Sequence, residues 1–326
     1  MRRFILFGSL SALLVLLGSP WPGNSAGKVD YPTKAVNIVV PFPPGQSPDL
    51  IARALSEGAK GAFPQPFVVV NRPGGAGTLG IAEVVMARAD GYTVGLSPIA
   101  PLIVQPQITS DLPYKRPDDY RPVMKIGSVP MVFSVLADSP WKSIKDVIDF
   151  AKANPGKMRV GSSGLGSIPH MDLEIFKEKA AVELTHVPFP GSAAYIPALL
   201  GGHIEAVSDS LPPILDQVRA GKVRVLATFE EKRNSILPDV PTFKELGFDI
   251  TLGVYHSVFV PKGTPEAVVQ TLGEGLRKAM DTEAFRKFVE SSNYVVDYQD
   301  GAALKKQLEA DYDKMGPIIT KLGLKK

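Results

Sequence analysis

At 326 residues, with 44% hydrophobic and 21% charged side chains, the chain is long enough for two ordinary domains and has the composition of a globular protein. It contains no cysteine, which excludes a disulfide framework and a lipid-modified cysteine. The net charge of +3, without any sustained run of Lys or Arg, offers no electrostatic footprint for nucleic acid or an acidic membrane surface.

Arg2 and Arg3 precede an apolar run from Phe4 to Leu17, followed by Gly18, Ser19, Pro20 and small residues up to Ser25 and Ala26. A charged start, a short apolar middle and a small-residue exit predict a signal peptide over residues 1–26; the run is shorter than the roughly 18 residues a spanning helix needs. Its removal takes Arg2 and Arg3 from the +3 total and leaves +1. The expected product is a free, nearly neutral periplasmic protein.

Val36 to Val40 is a short valine-rich run, as suits a strand buried on both faces of a parallel sheet. It leads into Pro41-Phe42-Pro43-Pro44-Gly45-Gln46. Ser47 then reads as a helix N-cap, with Pro48 at the first helical position and Asp49 as a first-turn cap. The apolar run Phe67 to Val70 leads into Asn71 to Gly80, NRPGGAGTLG, before another helical stretch. Four glycines there leave backbone N–H groups bare where a helix begins, which makes an anion cradle. Tyr92 to Leu96 ends at Ser97-Pro98.

Met131 to Leu136 is a further strand candidate, and Ser143 with Asp146 has capping-box spacing at the start of a helix. The first pattern then returns three times. Met158 to Val160 leads into Gly161 to Ser167 and a helix through Met171 and Phe176; Leu184 to Val187 leads into Pro188 to Ser192; Ile204 to Val207 leads into Ser208-Asp209-Ser210 and a helix from Pro212 to Ala220. Val223 to Thr228 is a final strand of this group, and two helices close the chain, from Thr264-Pro265-Glu266 and from Gly301 to Lys321. Two groups of strand–loop–helix units predict an α/β protein with two parallel sheets, their loop-bearing carboxyl ends facing one another across a cleft.

Two other readings compete. Gly75, Gly77 and Gly80 satisfy the dinucleotide pattern, but that fold needs the turn after its first strand and an acid about twenty positions on; here the turn follows the second strand and the next strand ends in Ser97. A secreted hydrolase is open through Ser162 and Ser163, although Leu165 stands where G-x-S-x-G requires its last glycine. The histidines, His170, His186, His203 and His256, show no metal-ligand spacing, so neither metal nor cofactor is expected.

The segments PFPPGQSPDLIAR (41–53), VVVNRPGGAGTLG (68–80), ADGYT (89–93), GSSGLGSIPHMDLEIFK (161–177), HVPFPGSAAYIPALLGGHIEA (186–206) and VFVPKGTP (258–265) resemble the substrate-binding proteins of tripartite tricarboxylate transporters, the Bug receptors. The resemblance spans the mature chain in order. It implies a two-domain periplasmic binding protein of the Venus-flytrap type II fold, with residues 27–128 plus 254–326 as domain 1 and 129–253 as domain 2. It also implies capture of a small organic carboxylate, a di- or tricarboxylate, aromatic acid or similar, for a membrane permease. First-domain loops would take one carboxylate, partly through water, and second-domain loops the remainder. The family has paired glycines where this chain has Gly45-Gln46, and often Asn where it has Thr78.

The loops supply uncharged donors at Gly45, Gln46, Gly75, Ala76, Thr78, Ser162, Ser163, Ser167 and Ser192, with Pro44, Ser97, Pro190 and Gly191 shaping them and Phe42 beside them. N–H bonds to a charged acceptor are worth about 1.5 to 3 kcal/mol each, so no cationic side chain is required. His170, in the first turn of its helix, joins the candidate ligand-binding set. Asp209 is either an acceptor for a ligand hydroxyl or ammonium, or a helix cap. One cleft per chain favours a monomer, and a receptor that presents its ligand to a sensor protein would use the same site.

Overall fold

The computed structural model describes residues 30–325 apart from 235 and 252, so the signal-peptide reading of residues 1–26 lies outside the described residues. The first sheet contains β1 (Val36–Val40), β2 (Phe67–Asn71), β3 (Thr93–Pro98), β4 (Tyr120–Val129), β10 (Val254–Pro261) and β11 (Val295–Asp300), in the order β11-β4-β10-β3-β1-β2. The second contains β5 (Met131–Leu136), β6 (Arg159–Ser162), β7 (Thr185–Pro188), β8 (Ala206–Ser210) and β9 (Val223–Thr228), in the order β7-β6-β8-β5-β9.

β1 lies inside the sheet, between β3 and the edge strand β2, and is buried except at Asn37, with Ile38 opposite Val69 on one side and Val94 on the other in parallel register, as its valine-rich run predicts. Both sheets are mixed, however, which corrects the all-parallel expectation. β10 runs antiparallel to β3 and β4, and β5 runs antiparallel to β8 and β9. The cause is the path of the chain, which passes between the sheets twice: from β4 to β5 with only Pro130 between them, and from β9 back to β10. A strand that enters a sheet from the cleft must run away from it, opposite to strands whose carboxyl ends face it.

Helices cover both faces of each sheet. α1 (Ser47–Ala59), α9 (Glu266–Met280) and α10 (Glu283–Ser292) enclose one core with Ile38, Val40, Leu96 and Val258. On the opposite face, α2 (Thr78–Val85), the short α3 (Ala100–Ile103) and α4 (Gln105–Ile108), and α11 (Gly301–Lys321) pack on Val39 and Phe259; this core also takes in Ile168 and Met171 of α6 (Ile168–Ala180), so it joins the two halves. The second sheet lies between α5 (Ile144–Ala153) with α6 on one face, and α7 (Ser192–Leu200) with α8 (Leu215–Arg219) on the other. The Ser143/Asp146 capping box forms as its spacing predicts.

Three local expectations are corrected. Gln46, not Ser47, occupies the N-cap of α1, because Ser47 is already helical and Pro48 fixes the first turn. The helix expected from Pro212 is a 3-10 turn over Pro212–Ile214 that becomes α-helical only at Leu215. α10 and β11 fill a stretch the sequence leaves undivided.

Candidate functional site

A cavity of about 660 Å³ lies between the two sheets, within the size of small-molecule sites. Its walls are the loops after β1, β3, β6 and β8, the β2–α2 turn, both crossings and the α10–β11 corner. The N-termini of two 13-residue helices, α1 and α6, meet there, one from each half. Each directs the positive end of its dipole toward the cavity.

In the β1–α1 loop, Phe42 and Gln46 line the cavity while Asp49, 1% exposed, ties the loop from behind. Its carboxylate accepts from the Gly45 amide (2.8 Å), Arg53 Nε (2.9 Å) and Asn71 Nδ2 (3.0 Å). Burial pushes the Asp49 pKa up, but these hydrogen bonds outweigh it and hold the group below the usual carboxylate range. Pro44 and Gly45 stand outside the lining.

The glycine stretch makes its turn through positive φ at four successive residues, Gly74, Gly75, Ala76 and Gly77. Ala76 alone of these reaches the cavity wall. Gly75 is needed for the turn itself: a Cβ there would lie 2.4 Å from Thr78 Oγ1. That hydroxyl donates to the Gly75 carbonyl at 2.8 Å, so Thr78 closes the turn and is absent from the lining. Arg72 of the same stretch pairs with Glu83 at 2.9 Å, both half-exposed. After β3, the Ser97 hydroxyl bonds the Pro98 carbonyl, and Pro98, Ala100 and Pro101 form the wall instead.

From the second half, Ser163, Leu165, Gly166, Ser167, Ile168 and Pro169 line the cavity. Ser167 caps α6, accepting from the His170 amide at 3.4 Å and donating to the Gly164 carbonyl at 2.7 Å. His170 is not in the lining: its Nδ1 accepts from the Gly166 amide at 3.1 Å, and its ring stacks on His186 at 3.9 Å. Ser162 is likewise turned to His186, 2.7 Å from Nε2. Burial pulls the pKa of both histidines down to about 4, so they are neutral near pH 7. Pro190, Gly191 and Ser192 open α7 away from the cavity, and the structure does not bring them to it.

Asp209 and Ser210, at the end of β8, complete this side. Asp209 is 4% exposed; its Oδ1 accepts from the Ser210 amide (2.7 Å) and hydroxyl (3.2 Å), and its Oδ2 has no hydrogen-bond partner. Burial raises its pKa, opposed by hydrogen bonds from Ser210 and by Ser163, which approaches without a well-directed bond to Oδ2.

Sequence reasoning did not anticipate the rest of the wall. His256, buried and held down to a pKa of about 3 by burial, stands beside Tyr294, whose hydroxyl is 3.5 Å from Nδ1. Phe288 and Ser292 of α10 and Met131 at the first crossing complete it. The lining contains no Lys or Arg, and Asp209 is its one carboxylate. Such a site can hold an anion through helix termini, amides, hydroxyls and the neutral His256 ring, without a cationic side chain.

Residues 51–324 match the family model described as "Tripartite tricarboxylate transporter family receptor". Protein BugT of Bordetella pertussis is 34% identical over 256 residues, covering 78% of each chain. The crystal structure of a TctC solute-binding protein from Polaromonas, without ligand, superposes with a TM-score of 0.82 at 31% identity, covering 89% of this chain and 99% of that one. The R. palustris protein Rpa4515, solved with adipate, gives 0.74 at 28% identity, covering 90% and 99%. With that breadth of match, and with the cleft between two mixed sheets already in view, the chain belongs to the tripartite tricarboxylate transporter receptor family of periplasmic solute-binding proteins.

Proposed function

We propose that this protein is exported to the periplasm, captures a small organic carboxylate in the cleft between its two halves, and hands it to a membrane permease of the tripartite type without acting on it chemically. The observation that carries the reading is the convergence of the α1 and α6 N-termini on one cavity with no cationic side chain in its lining. That combination favours a small anion held by dipoles and neutral donors. Gln46 and the backbone at Ala76 would take one carboxylate from the first half, and Ser163 and Ser167 would reach the ligand from the second. Domain boundaries at 128/129 and 253/254 would place both hinges at the crossings, so that closure brings the two donor sets together. Adipate, held by the R. palustris relative, is a carboxylate of suitable class.

The hydrolase alternative loses ground on geometry. Ser162 and His186 make the one close serine–histidine pair of the described residues, but Ser162 is wholly buried and neither lines the cavity. A thermal-shift screen of the ligand-stripped mature protein against mono-, di- and tricarboxylates, aromatic acids, amino acids and NAD tests the proposal. A ligand at 100 times its Kd should stabilise by about 2.7 kcal/mol. A selective shift with one carboxylate class supports the reading; a shift with NAD alone, or turnover of a bound ester, overturns it.

A further inference from the structure

The cavity contains an unbalanced group. Asp209 is almost completely buried, lines the cavity, and keeps one carboxylate oxygen without any hydrogen-bond partner. Leaving a buried polar atom unpaired is costly, and for a carboxylate more so. The protein does little to correct this: there is no Lys or Arg in the lining, both Ser210 donors already point to Oδ1, and Ser163, though near enough to favour the charged form, makes no well-directed bond to Oδ2. A plain dicarboxylate would worsen the balance by bringing further negative charge beside it.

Resting on the carboxylate-capture reading, we propose that Asp209 selects carboxylates that carry their own hydrogen-bond donor, an ammonium group foremost and a hydroxyl second. The ligand's carboxylate would lie at the helix N-termini and its donor against Oδ2. An ammonium both fills the unpaired site and makes an α-amino acid head group neutral overall, so it favours the ionised form of Asp209, and the pair forms at a carboxylate that is itself buried, where it is stronger than in water. Phe42, Pro98, Pro101 and Leu165 form an apolar wall for the carbon skeleton. The specificity thus divides by chemistry: helix termini take the acid, Asp209 takes the donor, and the apolar wall takes the body. Tyr195 is the rival partner within the protein. Its hydroxyl is also buried and unpaired, and its pKa is pushed up by burial and further by the Asp209 charge.

The test is calorimetric affinity for two matched ladders on one skeleton each: succinate, malate and aspartate; and 3-phenylpropionate, 3-phenyllactate and phenylalanine. The expected result, in at least one ladder, is tightest binding by the ammonium compound, then the hydroxy acid, with the ammonium compound ahead of the plain acid by about 10- to 100-fold, the worth of one hydrogen bond to a charged group. Asp209→Asn should cut the ammonium advantage at least about tenfold while the plain acid keeps or gains affinity, which also shows that the site has survived. Tyr195→Phe should leave the ladder as it is. A plain acid that binds as tightly as its amino analogue in both ladders overturns the inference while carboxylate capture stands. So does an ammonium preference that persists in Asp209→Asn, or one that collapses in Tyr195→Phe. Failure of every carboxylate, in these ladders and in the wider screen, would sink the capture reading together with the inference.

Discussion

Gly77 joins the glycine turn to the cavity wall, and replacing it by alanine tests whether that packing is as tight as the structure has it. Its φ is +94°, and a Cβ there would lie 2.7 Å from Pro101 Cγ, 3.1 Å from Pro101 Cβ and 3.5 Å from Phe42 Cε2. Two costs follow. A left-handed backbone at a non-glycine residue costs about 1 to 2 kcal/mol. Displacing a packed proline adds about 1 to 3 kcal/mol. Gly45 separates them: it has a similar φ of +82° but nothing within 4 Å of its Cβ position. Gly45→Ala should therefore lose only the backbone part, and Gly77→Ala should exceed it by about 1 to 3 kcal/mol. Both turns belong to the half built on the first sheet, so urea denaturation reads both variants on the same transition. Equal losses would refute the reasoning, since they would mean that Pro101 yields freely or that the turn does not sit against it.

Asp49→Ala should lower stability by about 1 to 3 kcal/mol by removing the acceptor shared by the Gly45 amide and Asn71, with weaker ligand binding as the Gln46 loop loosens; urea melts and calorimetry read the two effects. Thr78→Ala and Ser163→Ala should diverge: the first removes a bond within the turn and lowers stability by about 0.5 to 1.5 kcal/mol, whereas the second weakens ligand affinity by about 0.5 to 3 kcal/mol with the melting midpoint nearly unchanged. His256 has a folded pKa of about 3, below its unfolded value of about 6.5, so the unfolded chain takes up the proton first and stability falls as pH drops through that window; His256→Gln should flatten this acid slope, leaving the part due to His170 and His186. Asp172 is fully buried with both oxygens unpaired, and burial, reinforced by the Asp311 charge, raises its pKa well above the usual range. Its stabilising neutral form is present at low pH and lost as pH rises through the folded pKa, so Asp172→Asn should gain stability relative to the parent as pH increases, measured by melts from pH 5 to pH 9.

Strands such as β1, β5 and β9 were legible because burial on both faces makes them predominantly apolar and β-branched, with only one or two polar residues each, Asn37 in β1, Ser134 in β5, Arg224 and Thr228 in β9. β4 hid for the opposite reason. It carries Pro122, Lys125 and Gly127, and these are acceptable only in context: Pro122 stands beside a register shift in the pairing with β10, Lys125 reaches Asp297 and lies over the Tyr255 ring, and Gly127 leaves room for Tyr294. Each compensating partner lies far along the chain. The same physics divides the site. Which loops approach the cavity followed from where parallel strands end, a local property. Which side chain within a loop faces inward depended on competition for hydrogen bonds: Thr78 is engaged by Gly75, Ser162 by His186 and His170 by Gly166, while Ser163 and Asp209, one residue away from such engaged or paired neighbours, reach the wall. His256, Tyr294 and Phe288 come from the return crossing and the α10–β11 corner, where the sequence has no glycine loop to mark them. A donor-rich loop therefore marks where a ligand would approach, and of the buried groups left without a partner among the described residues Asp209 is the one that lines the cavity, which is why the proposed selection is placed there.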